Sequence, residues 1–308
     1  MFTKSYLNFL VFNILLISFT VNSSEINYEG SIYGKLHISL EDYKTNTSHE
    51  TDFKNNASRL GIKGSWKLSE SLNLSFQVEK EIDPTDGRAD KGKVFKDRNT
   101  FIALNGSFGK IFTGTHDTAF KQAQLKVDLF NDTRSDIKYL LHGENRMNSF
   151  IGYTSPEIIK GLTVTFNSIS QSNDSYKSSS IYYSIGKIQT SLAFDRKAKG
   201  YDSQRLAIMI PIDDYNIGLL YQSSKDLSSN ISNSGSVFSL KRKISEKGNI
   251  LFQSTKSDMK INAGEQKSIG YSHRIKQNIK TFIHYSKMSK DINLKDTSST
   301  SLGFEYKF

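Results

Sequence analysis

The sequence predicts an all-β fold, a transmembrane antiparallel barrel of about sixteen strands that closes on itself. Three observations predict it. From residue 25 onward, apolar and polar residues alternate with a period of two, which sorts side chains onto the two faces of a strand. The breaks between these segments are of two kinds, tight turns and long polar loops, as in barrels that cross an outer membrane. The chain also stops on an alternating segment, TSLGFEYKF (300–308), with Leu302, Phe304, Tyr306 and Phe308 on one face. Chain ends are usually frayed and polar; a last strand that must pair with the first has reason to differ.

The segments follow in order. The first, at about 27–43, puts Ile32, Leu36, Ile38 and Leu40 against Ser31, Lys35, His37, Ser39 and Glu41. In the second, 57–67, Leu60, Ile62 and Trp66 oppose Arg59, Lys63 and Ser65. The third, 71–82, sets Leu72, Leu74, Phe76 and Val78 against Asn73, Ser75, Gln77 and Glu79. Further strands are predicted at 97–105, 109–115, 146–155, 161–170, 179–185, 188–196, 203–211 and 214–223. The last five lie at 235–243, 248–257, 266–275, 278–288 and 298–308. Tight turns are LSES (68–71), NGSFG (105–109), IGK (185–187), IDD (212–214) and SEKG (245–248); long loops are 44–56, 83–96, 171–178, 224–234 and 289–297. Tyr33, Tyr153, Tyr183, Tyr215, Tyr221 and Tyr285 stand near strand ends, where interfacial aromatic girdles form. A soluble sandwich would leave many of these edges unpaired, whereas closure removes them.

Composition agrees. Of 308 residues, 36% are hydrophobic, 12% aromatic and only 3 are proline, which suits sheets with one wet and one greasy face. The formal charge is +10, but the bases are scattered, which argues against a nucleic-acid partner. No cysteine is present, so disulfides and thiol-bound metals are excluded. The six histidines lack metal-ligand spacing, and no cofactor is expected. MFTKSY, the apolar run LNFLVFNILLISF (7–19) and TVNSS read as a signal peptide over 1–23. Asn13 interrupts that run, which falls short of the ~20 residues a spanning helix needs. Residues 24–308 are then the exported barrel.

The stretches YGKLH (33–37), SRLGIKGSWKLSESLNLSFQVE (58–79), RNTFIALNGSFGKIFTG (98–114), GYTSPEIIKGL (152–162) and FEYKF (304–308), in this order and spacing, resemble the general diffusion porins of Gram-negative outer membranes. The resemblance covers essentially the whole exported chain. It implies a homotrimer of sixteen-stranded barrels, in contact with outer-membrane lipid and lipopolysaccharide. Each barrel would be a water-filled channel for passive diffusion of ions and small hydrophilic solutes, without catalysis. The terminal Phe304, Tyr306 and Phe308 would be read by the barrel-assembly machinery.

The resemblance further implies that the loop at 116–145 folds inward and narrows the pore. A structureless loop of this length is usually functional. Its acids are Asp117, Asp128, Asp132, Asp136 and Glu144, with Asp128, Asp132 and Asp136 the leading candidates. Facing them, by position in the family, are Lys35, Arg59, Arg98 and Arg146. Alternation had independently put Lys35 and Arg59 on the polar face. The loop departs from the family in lacking an aromatic-proline-glycine tip and in carrying Lys121, Lys126, Arg134 and Lys138. Acids opposite bases set a transverse field across a narrow wet gap, which passes small polar solutes.

Two other functional classes compete with the channel. A receptor or adhesin barrel would need a plug, and nothing plug-sized precedes the first strand. A barrel hydrolase could use His116 and Asp117, but no serine elbow accompanies them. The run Lys241, Arg242 and Lys243 reads as a solvated rim, with anionic headgroups as an alternative ligand.

Overall fold

The computed structural model describes residues 28–87, 93–171, 174–260, 264–290 and 296–308. The signal peptide assigned to 1–23 lies outside them. Strands begin with β1 (Tyr28–Thr45), β2 (His49–Asn55), β3 (Arg59–Ser69), β4 (Leu72–Glu81), β5 (Lys96–Gly106) and β6 (Gly109–Asp117). After the long loop come β7 (Arg146–Thr154), β8 (Leu162–Gln171), β9 (Asp174–Ile185), β10 (Ile188–Ala198), β11 (Tyr201–Ile212) and β12 (Tyr215–Asp226). The set ends with β13 (Ser232–Lys243), β14 (Gly248–Ser257), β15 (Gly264–Lys276), β16 (Ile279–Lys290) and β17 (Thr297–Lys307).

All seventeen belong to one sheet. Its neighbours are antiparallel, and it closes because β1 pairs with β17 from Lys35↔Lys307 to Thr45↔Thr297. β2 and β3 lie end to end on the other edge of β1, pairing with Ile38–Lys44 and Tyr28–Lys35 respectively. They are two halves of one stave, so the ring has sixteen staves among the described residues. The stave breaks at Ala57, whose φ is +57°. There His37 N donates to Ser58 Oγ at 2.9 Å, and Asn56 N donates to the His37 carbonyl at 2.8 Å. These bonds satisfy backbone groups that the break would otherwise orphan.

Burial is inverted relative to a water-soluble fold. Ile32, Ile62, Trp66, Ile151, Leu206, Ile269 and Leu302 are exposed on the outer face. Ser39, Glu41, Ser191, Arg205, Gln222, Gln253, Thr255 and Ser301 are buried inside. Apolar groups outside and hydrogen-bonding groups inside suit a lipid solvent.

The predicted strands are found in the predicted order, with three differences. The segment 44–56, expected as a long loop, contains β2, because Thr51, Phe53 and their neighbours extend the hairpin from β1. Strands β8, β9, β12 and β13 run further than expected, so the loops at 171–178 and 224–234 are shorter. Tyr33 is no girdle residue: it shares the lumen face with Lys35, and its hydroxyl donates to Glu79 Oε2 at 3.0 Å. Tyr153, Tyr215, Tyr221 and Tyr285 do face outward and are exposed.

Closure has a local requirement. Gly34 N donates to the Phe308 carbonyl at 2.9 Å, and Phe308 N donates to the Gly34 carbonyl at 3.1 Å. The Phe308 ring lies across Gly34, where an added Cβ would sit 2.3 Å from its Cζ. Glycine there lets the last aromatic cover the seam.

Candidate functional site: the inward loop and the wall it faces

The loop between β6 and β7 enters the barrel. Its stem is tied by Thr118 N donating to the Asn145 carbonyl at 3.2 Å. A single helical turn, α1 (Ala119–Gln122), follows, with Thr118 Oγ1 as its cap accepting from Lys121 N. Lumen side chains bind its start: Asn167 Oδ1 accepts from Ala119 N at 2.6 Å, and Ser178 Oγ accepts from Phe120 N at 2.9 Å. Further along, Gln253 Oε1 accepts from Leu129 N at 2.8 Å, and Gln253 Nε2 donates to the Ser135 carbonyl at 3.3 Å. Gln266 Nε2 donates to the Arg134 carbonyl. Barrel glutamines and an asparagine thus satisfy the backbone of a loop buried at membrane depth, as they must.

Apolar contacts anchor it too. Val127, Ile137 and Leu141 pack with Ala207, Met209, Leu220 and Val237 of the β11–β13 wall and with Met259, just beyond β14. Phe120 and Ala123 pack on Ala193. Arg205 is buried beneath: its guanidinium stacks on the Phe120 ring at 4.4 Å, Nη2 donates to Gln222 Oε1 at 2.6 Å, and Nη1 lies 2.8 Å from Glu144. These anchors were missed in the sequence. Their signal is the apolar content of a loop expected to be wet, and runs such as LAIMI (206–210) that are apolar on both faces.

The predicted bases converge on one wall. Lys35 Nζ donates to Asp132 Oδ2 at 2.8 Å, and Arg59 Nη2 stands 3.7 Å from the same oxygen. Arg98 donates to Glu79 at 2.7 Å and to Glu81 at 2.9 Å. Arg146 Nε lies 3.0 Å from Asp117 Oδ1 and donates to Asn99 Oδ1 at 2.7 Å; Lys121 reaches Asp117 at 3.1 Å. Lys35 and Arg98 are nearly covered, at 7% and 9% side-chain exposure, while Arg59, Arg146, Lys121 and Asp117 keep 17–22%. The partly exposed set is the one that meets lumen water.

The loop acids divide. Asp132 and Asp117 face the bases. Asp128 accepts from Phe130 N and Ile137 N, and Asp136 from Asp132 N and Lys138 N; both organise the loop's own turns. Glu144 is buried against Arg205. Glu79 and Glu81, the partners of Arg98, were not assigned to the site, although alternation puts Glu79 on the lumen face. Asp132 lies on the loop, outside the spanning strands. Burial alone would raise its carboxyl, but Lys35 and then Arg59 hold it well below the usual range. Burial, then Asp136, pushes Asp128 well above that range, which reduces the charge it brings to the lumen.

His116 sits edge-on to Phe101 and Phe112, with ring centroids 4.8 and 5.1 Å away, and its Nδ1 bonds the Asp117 carbonyl at 2.8 Å. The Asp117 carboxylate is committed to Lys121 and Arg146. Among the described residues, no group of three or more histidine and carboxylate side chains could hold a metal ion.

A closed barrel with apolar outer face, polar lumen and an inward loop clamped between acids and bases is the architecture of an outer-membrane channel protein. A family model described as Gram-negative porin matches residues 21–308, and the chain belongs to that family. The chain is 31% identical over 123 residues to the major outer membrane protein P.IB of Neisseria sicca, covering 37% of this chain and 33% of that one. It is 38% identical over 76 residues to outer membrane porin protein 32 of Delftia acidovorans, covering 25% of this chain and 21% of the relative. The aligned stretches therefore span a third or less of those relatives. Among solved structures, the anion-selective porin from Comamonas acidovorans superimposes with a TM-score of 0.76, over 92% of this chain and all of that one, at 18% identity. That likeness concerns the fold.

Proposed function

We propose that this chain is a passive, water-filled channel of the outer membrane for ions and small hydrophilic solutes, working as a homotrimer and preferring anions. One observation carries the reading: the inward loop sets Lys121, Asp117 and Asp132 against the wall bases Arg59 and Arg146, which leaves a mixed set of partly exposed charges inside the barrel. A solute crossing there exchanges hydration for fixed charges, so small polar solutes pass and bulky or apolar ones are retarded. Membership of the porin family supports the trimer. The anion preference rests on the excess of bases and is supported by the anion-selective title of the Comamonas structure. Phe304, Tyr306 and Phe308 are proposed as the assembly signal: Phe304 and Phe308 are exposed on the outer face of the closing strand, where machinery acting from the lipid side would meet them.

Lys35, Arg59, Arg98 and Arg146 are proposed as the basic side of the constriction, with Asp132 and Asp117 as its acids and Asp128, Asp136 and Glu144 shaping the loop. The His116 geometry gives no support to a hydrolase. Liposome swelling with neutral sugars of graded size tests the channel: uptake that falls with solute size is expected. Equal exclusion of all sugars by folded protein would refute it.

A further inference from the structure

Beneath the loop, toward the rim of short turns, lies a cavity of about 960 Å³. Its wall departs from the charge balance of the constriction above. Lys126 of the loop, Lys241 and Lys243 of β13, Arg274 of β15, Lys280 of β16 and Lys307 of β17 line it together with Lys35 and Arg59 of the constriction, against four acids, Asp128, Asp132, Glu246 and Glu305. Among the described residues, Lys126, Lys241, Lys243 and Arg274 have no ion-pair partner, whereas Lys280 and Lys307 share Glu305 at 3.4 and 3.2 Å. The register compounds the excess. Arg274 stands directly opposite Lys280, and Lys307 directly opposite Lys35. Like charges in direct cross-strand register weaken a sheet; Asp132 offsets Lys35, and Glu305 is shared by Lys280 and Lys307, whereas Arg274 has no such acid among the described residues.

Chloride can relieve one such repulsion at a time, whereas an anion with several charged oxygens can bridge bases from different strands at once. Charge-assisted bonds to several cations reinforce one another in the way that linked binding groups do. The cavity lies in the size range of small-ligand sites, large enough for a chain of phosphoryl groups. Resting on the channel reading above, we infer that this vestibule is a binding site for multivalent phosphoryl anions, held between loop residue Lys126 and the wall bases Lys241, Arg274 and Lys280 before they meet the constriction. The shared chemistry is the phosphoryl group, whether in an inorganic condensed phosphate or on an organic solute.

The test is the potassium chloride current of the purified trimer in a planar bilayer. Orientation is fixed by labelling Ser229→Cys, on the opposite rim, in a chain that has no other cysteine. Inorganic triphosphate is added to one compartment. It is expected to reduce the current at lower concentration from the short-turn side. The double variant Lys126→Gln/Lys241→Gln should raise the half-blocking concentration by about tenfold. Arg242→Gln, next along β13 but on the outer face, should leave it unchanged. A sugar bisphosphate gives the second arm: block by both probes assigns phosphoryl groups in general, and block by triphosphate alone assigns the inorganic chain. A normal current with no block, block equal from both sides, or block unaltered in the double variant overturns the site. Absence of any potassium chloride current overturns the channel reading itself.

Discussion

Arg59 on β3 and Arg98 on β5 both face the lumen, with β4 between them, yet their surroundings give them different roles. Arg98 is held by Glu79 and Glu81, so its charge is compensated within 3 Å. Among the described residues, Arg59 has only Asp132 as an ion-pair partner, at 3.7 Å and shared with Lys35. Removing one partly exposed charge changes the energy of a passing ion by about 1 kcal/mol, or about fivefold in a permeability ratio. Arg59→Gln is therefore expected to shift the reversal potential in a salt gradient toward cations by about that ratio, and an unmoved potential would remove Arg59 from the constriction. Asp132 gives a pH signature. Its carboxyl is held below the usual range, so the bond to Lys35 is fully formed above the ordinary carboxylate pKa of about 4 and is lost only as pH falls through the lower folded value. Wild-type conductance should show a transition below about pH 4 that Asp132→Asn lacks. An acid transition that persists unaltered in Asp132→Asn would contradict the pairing.

At the scale of elements, the loop is held by packing as much as by charge. Phe120 of α1 is fully buried among Ala123, Ala193 and Arg205. Phe120→Ala should cost about 3–5 kcal/mol of local stability and free the first half of the loop, read as larger, noisier single-channel openings. Unchanged openings would show that the hydrogen bonds to Asn167, Ser178 and Gln253 hold the loop unaided. The strands were legible because a period of two needs no long-range information. The loop's anchorage was not. Ala207, Met209 and Val237 sit at lumen positions where the pattern calls for polar residues, and only the folded loop explains why they are apolar. β2 escaped notice because HETDFKN, with one large apolar residue, carries almost no alternation; it is a strand because β1 offers an edge. Lys35, Arg59 and Arg146 could be placed from strand phase and family position. Which acid each would meet could not, since that depends on the path of a loop with a turn at Asp132 of φ +69°.

The whole molecule turns the usual distribution of residues inside out, and its seam joins the two ends of the described chain. Trp66, the single tryptophan, is exposed on the outer face, so its fluorescence in vesicles should be quenched by lipids brominated on their acyl chains. Quenching by aqueous iodide alone would place that face in water. Gly34→Leu should drive a side chain into the Phe308 ring and hinder closure, lowering the yield of heat-modifiable folded barrel on gels. Single-channel recording of the purified trimer tests the proposed water-filled barrel most directly. Each insertion should add conductance that closes in three equal steps, one for each loop-narrowed lumen. A folded, heat-modifiable trimer that inserts and never conducts would contradict it.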